Sequence, residues 1–360
     1  MDSTVGEPCM SEMKHQLLNG CLGLMKYTKL YRLLCPFFIG SGVILVLHRV
    51  LPEKAHPRIA ANSRIEITPQ FLEQLIGFFI KKGYEVVSLD TVYDRLMGAV
   101  ADRPFVCFTF DDGYADAFEV VYPIFKKYQL PYAVYVITDF PDRKSILWWY
   151  MLEDLVLQHD PVRFCYLNRT YTLATTGSAD REAAYNTIRE LLLSVPSEQM
   201  EEVIEAVFSP NAVDPGDYGD QQMSWDQVME LADDPLVTIG AHTVHHYNLK
   251  RLTEEQVRWE METSKKRLEE KIGRPVLHFS YPFGSRKEVG TREFSLAAAC
   301  GFSTMTTVRE GNIFPAHRRH MDCLPRVEIT GRHQDLTLVD LRRCGLVAFV
   351  RNGPKRVVTV

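Results

Sequence analysis

Short apolar runs alternate with helix patterns along this chain of 360 residues, and the alternation limits the choice of fold. One helix pattern begins at Thr68-Pro69 and ends at Gly83, with apolar side chains at helical spacing between them. Strands that alternate with helices form βα units on a parallel sheet, which is open or closed into a barrel. The pattern predicts an α/β fold with strands near 42–48, 84–89, 105–110, 132–137, 236–240, 276–281 and 303–307.

The alternation is interrupted between about 144 and 223. We interpret this part as a mostly helical insertion, because its apolar content looks small for the core of an independent domain. The predicted organisation is an N-terminal helical segment at 1–39, a barrel domain at 40–335 that contains the insertion and has its core motifs from about 104, and a C-terminal tail at 336–360.

Composition argues against two classes of function. The formal net charge of −5 shows no polybasic excess, so it does not support a nucleic-acid partner. The eight cysteines include no Cys-x-x-Cys pair, which argues against a zinc–thiolate site and favours reduced thiols. A long helix is predicted from Thr253 to Lys271, and we interpret its alternating acidic and basic residues as solvated surface charge.

The N-terminal residues do not resemble a secretory signal. Met1 to His15 is polar and lacks an apolar middle and a cleavage site. The most apolar stretch, Leu33 to Leu47, is interrupted by Pro36 and is too short to cross a bilayer as a helix. These features predict a cytoplasmic protein. The segment from Leu22 to Phe38 mixes basic and apolar residues, and it either packs on the domain, which we favour, or lies peripherally on the inner membrane.

Two adjacent carboxylates, Asp111 and Asp112, follow the predicted buried strand at 105–110. Gly113 comes next and allows a sharp turn of the backbone. Two negative charges at the end of a buried strand are costly unless a metal ion or hydrogen-bond donors compensate them. The alternative is a solvated Asp-Gly turn.

Three histidines lie within five residues after the strand at 236–240. Among them, His242 and His246 are four residues apart, which can bring two imidazoles to one metal ion. Because the carboxyl ends of parallel strands share one edge, these imidazoles and the two aspartates are expected to converge there. Two imidazoles and one carboxylate suit Zn²⁺, and also Fe²⁺, Co²⁺, Ni²⁺ or Mn²⁺, and leave the second carboxylate free to act as a general base. A chance cluster of histidines is the alternative.

Three motifs in this order resemble the polysaccharide deacetylase family, also known as the NodB-homology or carbohydrate esterase 4 fold. They are Thr109 to Tyr114, His242-Thr243 with His246, and Tyr281-Pro282-Phe283-Gly284. The similarity spans about 40–330. It implies a distorted (β/α) barrel, usually of seven strands, and a hydrolase that removes N-acetyl, or occasionally O-acetyl, groups from a glycan, an oligosaccharide or a lipid-linked sugar.

The resemblance also implies roles for individual residues. Asp111 corresponds to the catalytic base, and Asp112, His242 and His246 correspond to the ligands of one divalent metal, with Zn²⁺ expected. Thr243 corresponds to a residue that supports the loop by hydrogen bonding. In the implied mechanism, the base removes a proton from the attacking water and a protonated histidine assists departure of the amine.

The third motif departs from the family pattern. Many members have an arginine there that holds the base, but Ser280 and Phe283 stand at the places of its arginine and tyrosine. Arg326 is our candidate for the residue that orients Asp111, and a surface arginine is the alternative. Candidate stacking faces for sugar rings are Tyr281, Phe283, Trp148 and Trp149. For the two tryptophans, we favour the alternative that they pack the insertion onto the barrel.

The general acid of the family has no clear counterpart in this chain. His48 is one candidate, since Leu47 to Val50 resembles an opening motif of some members, and a buried structural histidine is the alternative. His317, His320 and His333 are further candidates. Two other functions stay open: an amidase of the same fold that acts on a small non-sugar amide, and a catalytically silent glycan-binding protein.

Overall fold

This computed structural model describes residues 31–53, 57–100, 102–196, 199–353 and 355–359. Its strands are β1 (Gly42–Leu47), β2 (Arg49–Val50), β3 (Glu66–Ile67), β4 (Glu85–Val86), β5 (Phe105–Phe110), β6 (Tyr132–Val136), β7 (Val162–Tyr166), β8 (Arg169–Leu173), β9 (Val237–Ala241), β10 (His278–Ser280), β11 (Thr304–Glu310) and β12 (Leu324–Glu328).

Its α-helices are α1 (Tyr31–Phe38), α2 (Ala60–Ile65), α3 (Pro69–Lys81), α4 (Leu89–Met97), α5 (Tyr122–Tyr128), α6 (Trp148–Gln158), α7 (Ser178–Ser194), α8 (Met200–Phe208), α9 (Trp225–Asp233), α10 (Glu254–Ile272), α11 (Thr291–Ala299), α12 (Leu336–Arg343) and α13 (Leu346–Arg351). A π-helical turn, Ala117–Val121, precedes α5.

Within the described chain, seven parallel strands close into a barrel in the order β1-β12-β11-β10-β9-β6-β5, and β5 pairs again with β1. The predicted (β/α) barrel of seven strands is therefore confirmed. Two details of the strand prediction were wrong. The run at 84–89 yields only the two-residue β4, which pairs with β5 outside the closed ring, because Ser88 already caps α4. The seventh barrel strand is β12 instead, which was not predicted as a strand.

Alternate residues of the barrel strands face the surrounding helices and the barrel interior, as the pleat requires. On β5, Val106, Phe108 and Phe110 belong to the main apolar core under the helices. Cys107 belongs to a second apolar cluster with residues of β1, β6 and β12. Thr109 contacts the buried Arg326 of β12. The interior of the barrel is therefore partly polar below the carboxyl ends of the strands.

Gly42 permits β1 and β5 to approach closely at the start of the barrel. A Cβ atom at this position would lie 2.5 Å from the carbonyl oxygen of Phe105. We expect Gly42→Ala to lower the free energy of unfolding by about 1 to 3 kcal/mol, measured by urea denaturation. Gly77→Ala in α3 is the control, since no atom lies within 4 Å of its Cβ position, and we expect it to stabilise the protein slightly. Equal stability of Gly42→Ala and the wild type would contradict this account of barrel closure.

The insertion lies between β6 and α9 and has an apolar cluster of its own, formed by α6, α7, α8 and the antiparallel pair β7–β8. The buried Glu153 of α6 joins it to the chain between β2 and β3. Its carboxylate accepts hydrogen bonds from Arg58 at 2.8 Å and from Asn62 at 3.0 Å. The apolar content that looked small in the sequence is thus enough to form a second cluster. The domain boundaries stay a prediction.

The two ends of the described chain pack together. The Tyr31 hydroxyl in α1 donates to Asp340 in α12 at 2.9 Å, and the Phe38 ring lies 4.7 Å from the Phe349 ring of α13. The segment expected as a tail from 336 is therefore helical over most of its length, because α1 covers its apolar side chains.

Residues 1–30, with most of the predicted N-terminal segment and of its membrane contact, lie outside the described residues. Among the described residues, no helix combines the length and the hydropathy needed to span a membrane.

Candidate active site

Asp111 and Asp112 lie at the carboxyl end of β5, and the turn between them separates their side chains. Both are buried. Asp112 has a φ of 77° and Gly113 a φ of 86°, a left-handed conformation that aspartate tolerates better than most residues. The backbone N–H of Asp111 still donates to Leu47 of β1, while the carbonyl of Asp112 accepts from Ile137 after β6. The left-handed turn lets one carboxylate face Arg326 while the other faces two histidines.

Asp112, His242 and His246 each offer one ligand atom, and these atoms lie within 4.8 Å of one another. The Asp112 Oδ1 atom is 3.3 Å from His242 Nε2 and 3.6 Å from His246 Nε2. His242 Nδ1 lies 2.7 Å from the Ser280 carbonyl oxygen, to which it donates as Nδ1–H. This hydrogen bond leaves a lone pair on Nε2, the atom that faces Asp112. Two imidazole nitrogens and one carboxylate oxygen therefore fit a divalent metal ion with open positions.

Two residues of the histidine loop have a left-handed backbone. Thr243 has a φ of 66° and His246 a φ of 62°. The Thr243 hydroxyl accepts the N–H of His246 at 3.0 Å, and its carbonyl accepts the N–H of Thr138 after β6 at 3.1 Å. These contacts place Thr243 at the position expected for a loop support.

Burial and the neighbouring groups favour, for two of the candidate ligands, His246 and Asp112, the protonation states that metal binding needs. Burial lowers the pKa of His246 to about 4, although the nearby Asp112 acts in the opposite direction. Burial alone would raise the pKa of Asp112, but its interactions with the neighbouring imidazoles of His242 and His246 lower that pKa instead. A neutral imidazole and an ionised carboxylate result.

Arg326 holds Asp111 with two parallel hydrogen bonds, Nη1 to Oδ1 at 2.7 Å and Nη2 to Oδ2 at 2.6 Å. Its side chain is 0% exposed, and it also donates to Thr109, Ser280 and the carbonyl of Thr307. Burial alone would raise the pKa of Asp111, but the charge and hydrogen bonds of Arg326 lower it. The structure therefore places the buried Arg326 against Asp111, and the alternative of a surface arginine is wrong.

His48 directly follows β1 and is half-buried at the same end of the barrel. The backbone N–H of Asp111 donates to the carbonyl of Leu47, the residue before His48, so His48 and Asp111 lie at neighbouring strand ends. His317 is buried and bonded to the backbone of Phe314 and Val358, so it has a structural role. His320 lies beside Asp322 and Cys323 as a separate group, and the side chain of His333 lies outside the described residues. His48 alone of the four is placed here with the two aspartates.

Aromatic rings flank the candidate metal ligands. The Phe283 ring lies 4.6 Å from the His246 ring, and the Trp149 ring of the insertion lies 6.5 Å from it. Trp149 Nε1 donates to the Tyr114 hydroxyl at 3.1 Å. Tyr281 was expected as a stacking face, but it is fully buried and its hydroxyl donates to the Asp322 carbonyl. That expectation is corrected, because a buried ring cannot present a face to a sugar.

One residue near the site was not predicted from the sequence. Glu260 of α10 was counted among solvated charges, whereas it is buried and bonded to the histidine loop. It has no local signal in the sequence. Trp149, by contrast, was a candidate stacking face, and its ring lies beside that of His246.

Comparisons with known proteins bear on the family and the fold of this chain. The family model described as polysaccharide deacetylase matches residues 99–304, more than half of the chain. No curated protein matches the sequence. Among solved structures, the Streptococcus pyogenes deacetylase PplD in complex with acetate is similar with a TM-score of 0.56 and 19% identity, over 84% of this chain and 97% of that one.

Two further structures show the same fold. A de-N-acetylase from Aggregatibacter actinomycetemcomitans has a TM-score of 0.53 and 17% identity, over 83% of this chain and 98% of that one. IcaB from Ammonifex degensii has a TM-score of 0.52 and 17% identity, over 84% of this chain and 96% of that one. With the match of the family model to more than half of the sequence, the chain belongs to the polysaccharide deacetylase family.

Proposed function

We propose that this protein is a metal-dependent hydrolase that removes N-acetyl, or O-acetyl, groups from a glycan, an oligosaccharide or a lipid-linked sugar. The observation that carries the proposal is the division between two adjacent carboxylates. Asp111 is bound by Arg326, while Asp112 faces His242 and His246. Such a division gives one carboxylate to proton transfer and the other to a metal ion.

Asp112, His242 and His246 would hold one divalent ion, with Zn²⁺ expected and Co²⁺, Ni²⁺, Fe²⁺ or Mn²⁺ able to occupy the same ligands. When bound, such an ion would supply Lewis-acid chemistry toward the acetyl carbonyl and toward water. The ligand set supports this assignment, because burial keeps His246 neutral and leaves its nitrogen free to bind. Thr243 would support the loop that carries both histidines.

Asp111 would act as the general base. Its lowered pKa keeps it ionised, so it can accept the proton of the attacking water. Arg326 and Ser280 fix the direction of its oxygens by three hydrogen bonds. A low pKa also makes a carboxylate a weak base, so correct placement has to compensate for modest basicity.

His48 would act as the general acid that gives a proton to the departing amine. It lies at the end of β1 beside Asp111, and imidazole is the side chain whose ordinary pKa suits proton donation near neutral pH. Phe283 and Trp149 flank His246 from two sides. Their rings would contact the apolar face of a sugar and hold the acetyl group near the ligands.

Acetate release from N-acetylated oligosaccharides tests this function. We expect the purified protein to release acetate, to lose this activity on treatment with a chelator, and to recover it when Zn²⁺ or Co²⁺ is added back. Release of acid from small non-sugar amides alone would identify an amidase instead. Binding of sugar and metal without any hydrolysis would identify a glycan-binding protein.

A further inference from the structure

Glu260 is a buried carboxylate in the middle of α10, and its bonds all go to the loop between the candidate metal ligands His242 and His246. Its side chain is 3% exposed. Oε2 accepts the backbone N–H of Val244 at 2.8 Å and that of His245 at 3.1 Å, and Oε1 lies 2.5 Å from His245 Nδ1. One carboxylate therefore accepts three hydrogen bonds from two consecutive residues.

His245 connects Glu260 to a second anchor. Its Nε2 atom lies 3.4 Å from Asp139 Oδ2, and the backbone N–H of Asp139 donates to the Val244 carbonyl at 3.1 Å. Arg267 of α10 donates to Asp139 at 2.8 Å. The imidazole, which is not among the candidate ligands, thus joins the loop to α10 and to the end of β6.

The loop needs such bonds because its backbone is strained. Thr243 and His246 both have a left-handed backbone, a conformation that is unfavourable above all for a β-branched residue such as Thr243. Val244 and His245, which lie between them, are the two residues whose N–H groups Glu260 accepts. A relaxed backbone would turn these N–H groups away from one another and move the His246 ring.

The position of Glu260 has no other explanation in the packing of α10. Burial of a carboxylate is costly without partners. The other buried residues of the helix are the apolar Val257, Met261 and Leu268 and the small Ser264, whose hydroxyl donates to the Met261 carbonyl. An apolar residue would pack there at lower cost if the helix served the core alone. The bonds to the loop compensate the buried charge.

We propose that Glu260 is a positioning residue that, together with His245, holds the histidine loop in the strained conformation that directs His242 and His246 toward Asp112. The inference rests on the proposed function, because it assigns the loop to metal binding. Glu260 lies on α10, which carries none of the candidate ligands, and it acts on them through the backbone of the histidine loop. Glu260 has no contact with the candidate ligand atoms in the described structure.

Zn²⁺ affinity, measured by competition with a chromophoric chelator, tests the role. We expect Glu260→Ala to raise the dissociation constant by about 10- to 100-fold, as loss of a residue that supports metal ligands typically does. Glu260→Gln should retain most of the affinity. Its amide oxygen can accept the two backbone N–H groups, and its NH₂ group can donate to His245 in the other tautomer.

Glu293→Ala is the matched control. Glu293 is also a buried glutamate on a helix, and it accepts hydrogen bonds from the Gly290 N–H and from Arg292, with no bond to the histidine loop. We expect its replacement to lower the unfolding midpoint without changing Zn²⁺ affinity. Wild-type affinity in folded Glu260→Ala, or an equal loss in Glu293→Ala, would overturn the positioning role.

Amide hydrogen exchange of the metal-free protein gives a second readout that needs neither metal nor substrate. We expect the N–H groups of Val244 and His245 to exchange faster in Glu260→Ala than in the wild type, and unchanged exchange would overturn the proposal. If Glu260→Ala does not fold, Glu260→Asp, with a side chain one carbon shorter, is measured in the same way. A wild type that binds Zn²⁺ but releases no acetate refutes the proposed function and leaves the positioning role standing. A wild type that binds neither Zn²⁺ nor Co²⁺, Ni²⁺, Fe²⁺ or Mn²⁺ overturns both.

Discussion

Asp111→Asn is expected to reduce acetate release by about 10²- to 10⁴-fold, the usual contribution of a general base, while Zn²⁺ affinity stays near the wild-type value. The amide has nearly the shape of the carboxylate but cannot accept the proton of the attacking water. Metal binding should persist, because Asp112 is the carboxylate that lies 3.3 Å from His242 Nε2. Acetate release and chelator competition on the same preparation check the two halves of this prediction.

His242→Ala provides the opposite pattern and serves as the control. Removal of this imidazole leaves two of the three candidate ligands, so we expect Zn²⁺ binding and acetate release to be lost together. Full acetate release by Asp111→Asn would show that another group is the base. Loss of Zn²⁺ binding in folded Asp111→Asn would show that the two carboxylates do not divide their roles as proposed. Circular dichroism is needed for both variants, because Asp111→Asn leaves the buried Arg326 without its counter-charge.

The sequence was enough to predict that the aspartates and histidines lie close together, because the carboxyl ends of all strands in a parallel sheet lie at the same edge. Asp111 and Asp112 follow β5, and His242 follows β9, so knowledge that both are parallel strands is enough to place them near each other. The left-handed turns at Asp112 and His246 could not be predicted. Asparagine, aspartate and histidine are enriched in such turns only as an average over many proteins, so the residue type does not identify the individual position.

The barrel strand β12 shows why local patterns fail inside a closed barrel. Residues 324–328 include Pro325, Arg326 and Glu328, and such a sequence does not resemble a buried strand. Arg326 faces the barrel interior, where Asp111 of a strand more than two hundred residues earlier compensates its charge. The compensation exists only in three dimensions, so the hydrophobic period of β12 does not reveal its burial.

Glu260 was missed for a related reason. α10 is rich in glutamate, lysine and arginine, and most of these side chains are exposed as predicted. The apolar residues of its inner face are few, and nothing in its own sequence distinguishes Glu260 from Glu262, which forms an exposed pair with Arg258. The difference depends on the histidine loop that packs above the helix. Prediction of a buried charge therefore requires prediction of its partner first.

Arg326→Met should lower the free energy of unfolding at pH 7 by about 3 to 5 kcal/mol, the cost of breaking a buried ion pair by removing one partner. Asp111 would remain buried with its charge uncompensated, since the Ser280 hydroxyl would be one of few remaining donors. Urea denaturation measures the effect. Arg64→Met is the matched control, because Arg64 Nη2 contacts both carboxylate oxygens of Glu328 on the same strand, but the Arg64 side chain is 49% exposed. We expect it to cost less than about 1 kcal/mol.

The pH dependence of the free energy of unfolding lost in Arg326→Met tests whether the loss comes from the charge of Asp111. In the wild type the folded pKa of Asp111 lies below its ordinary value of about 3.9, so the stability it contributes is present above that pH and is lost as the pH falls through the folded pKa. In Arg326→Met, burial without the arginine should raise the folded pKa above the ordinary value. The variant then takes up a proton on acidification and loses the uncompensated charge. The difference in the free energy of unfolding between wild type and Arg326→Met should therefore become smaller from pH 7 to pH 4. A difference that stays constant would mean that lost packing, and not the charge of Asp111, accounts for the destabilisation.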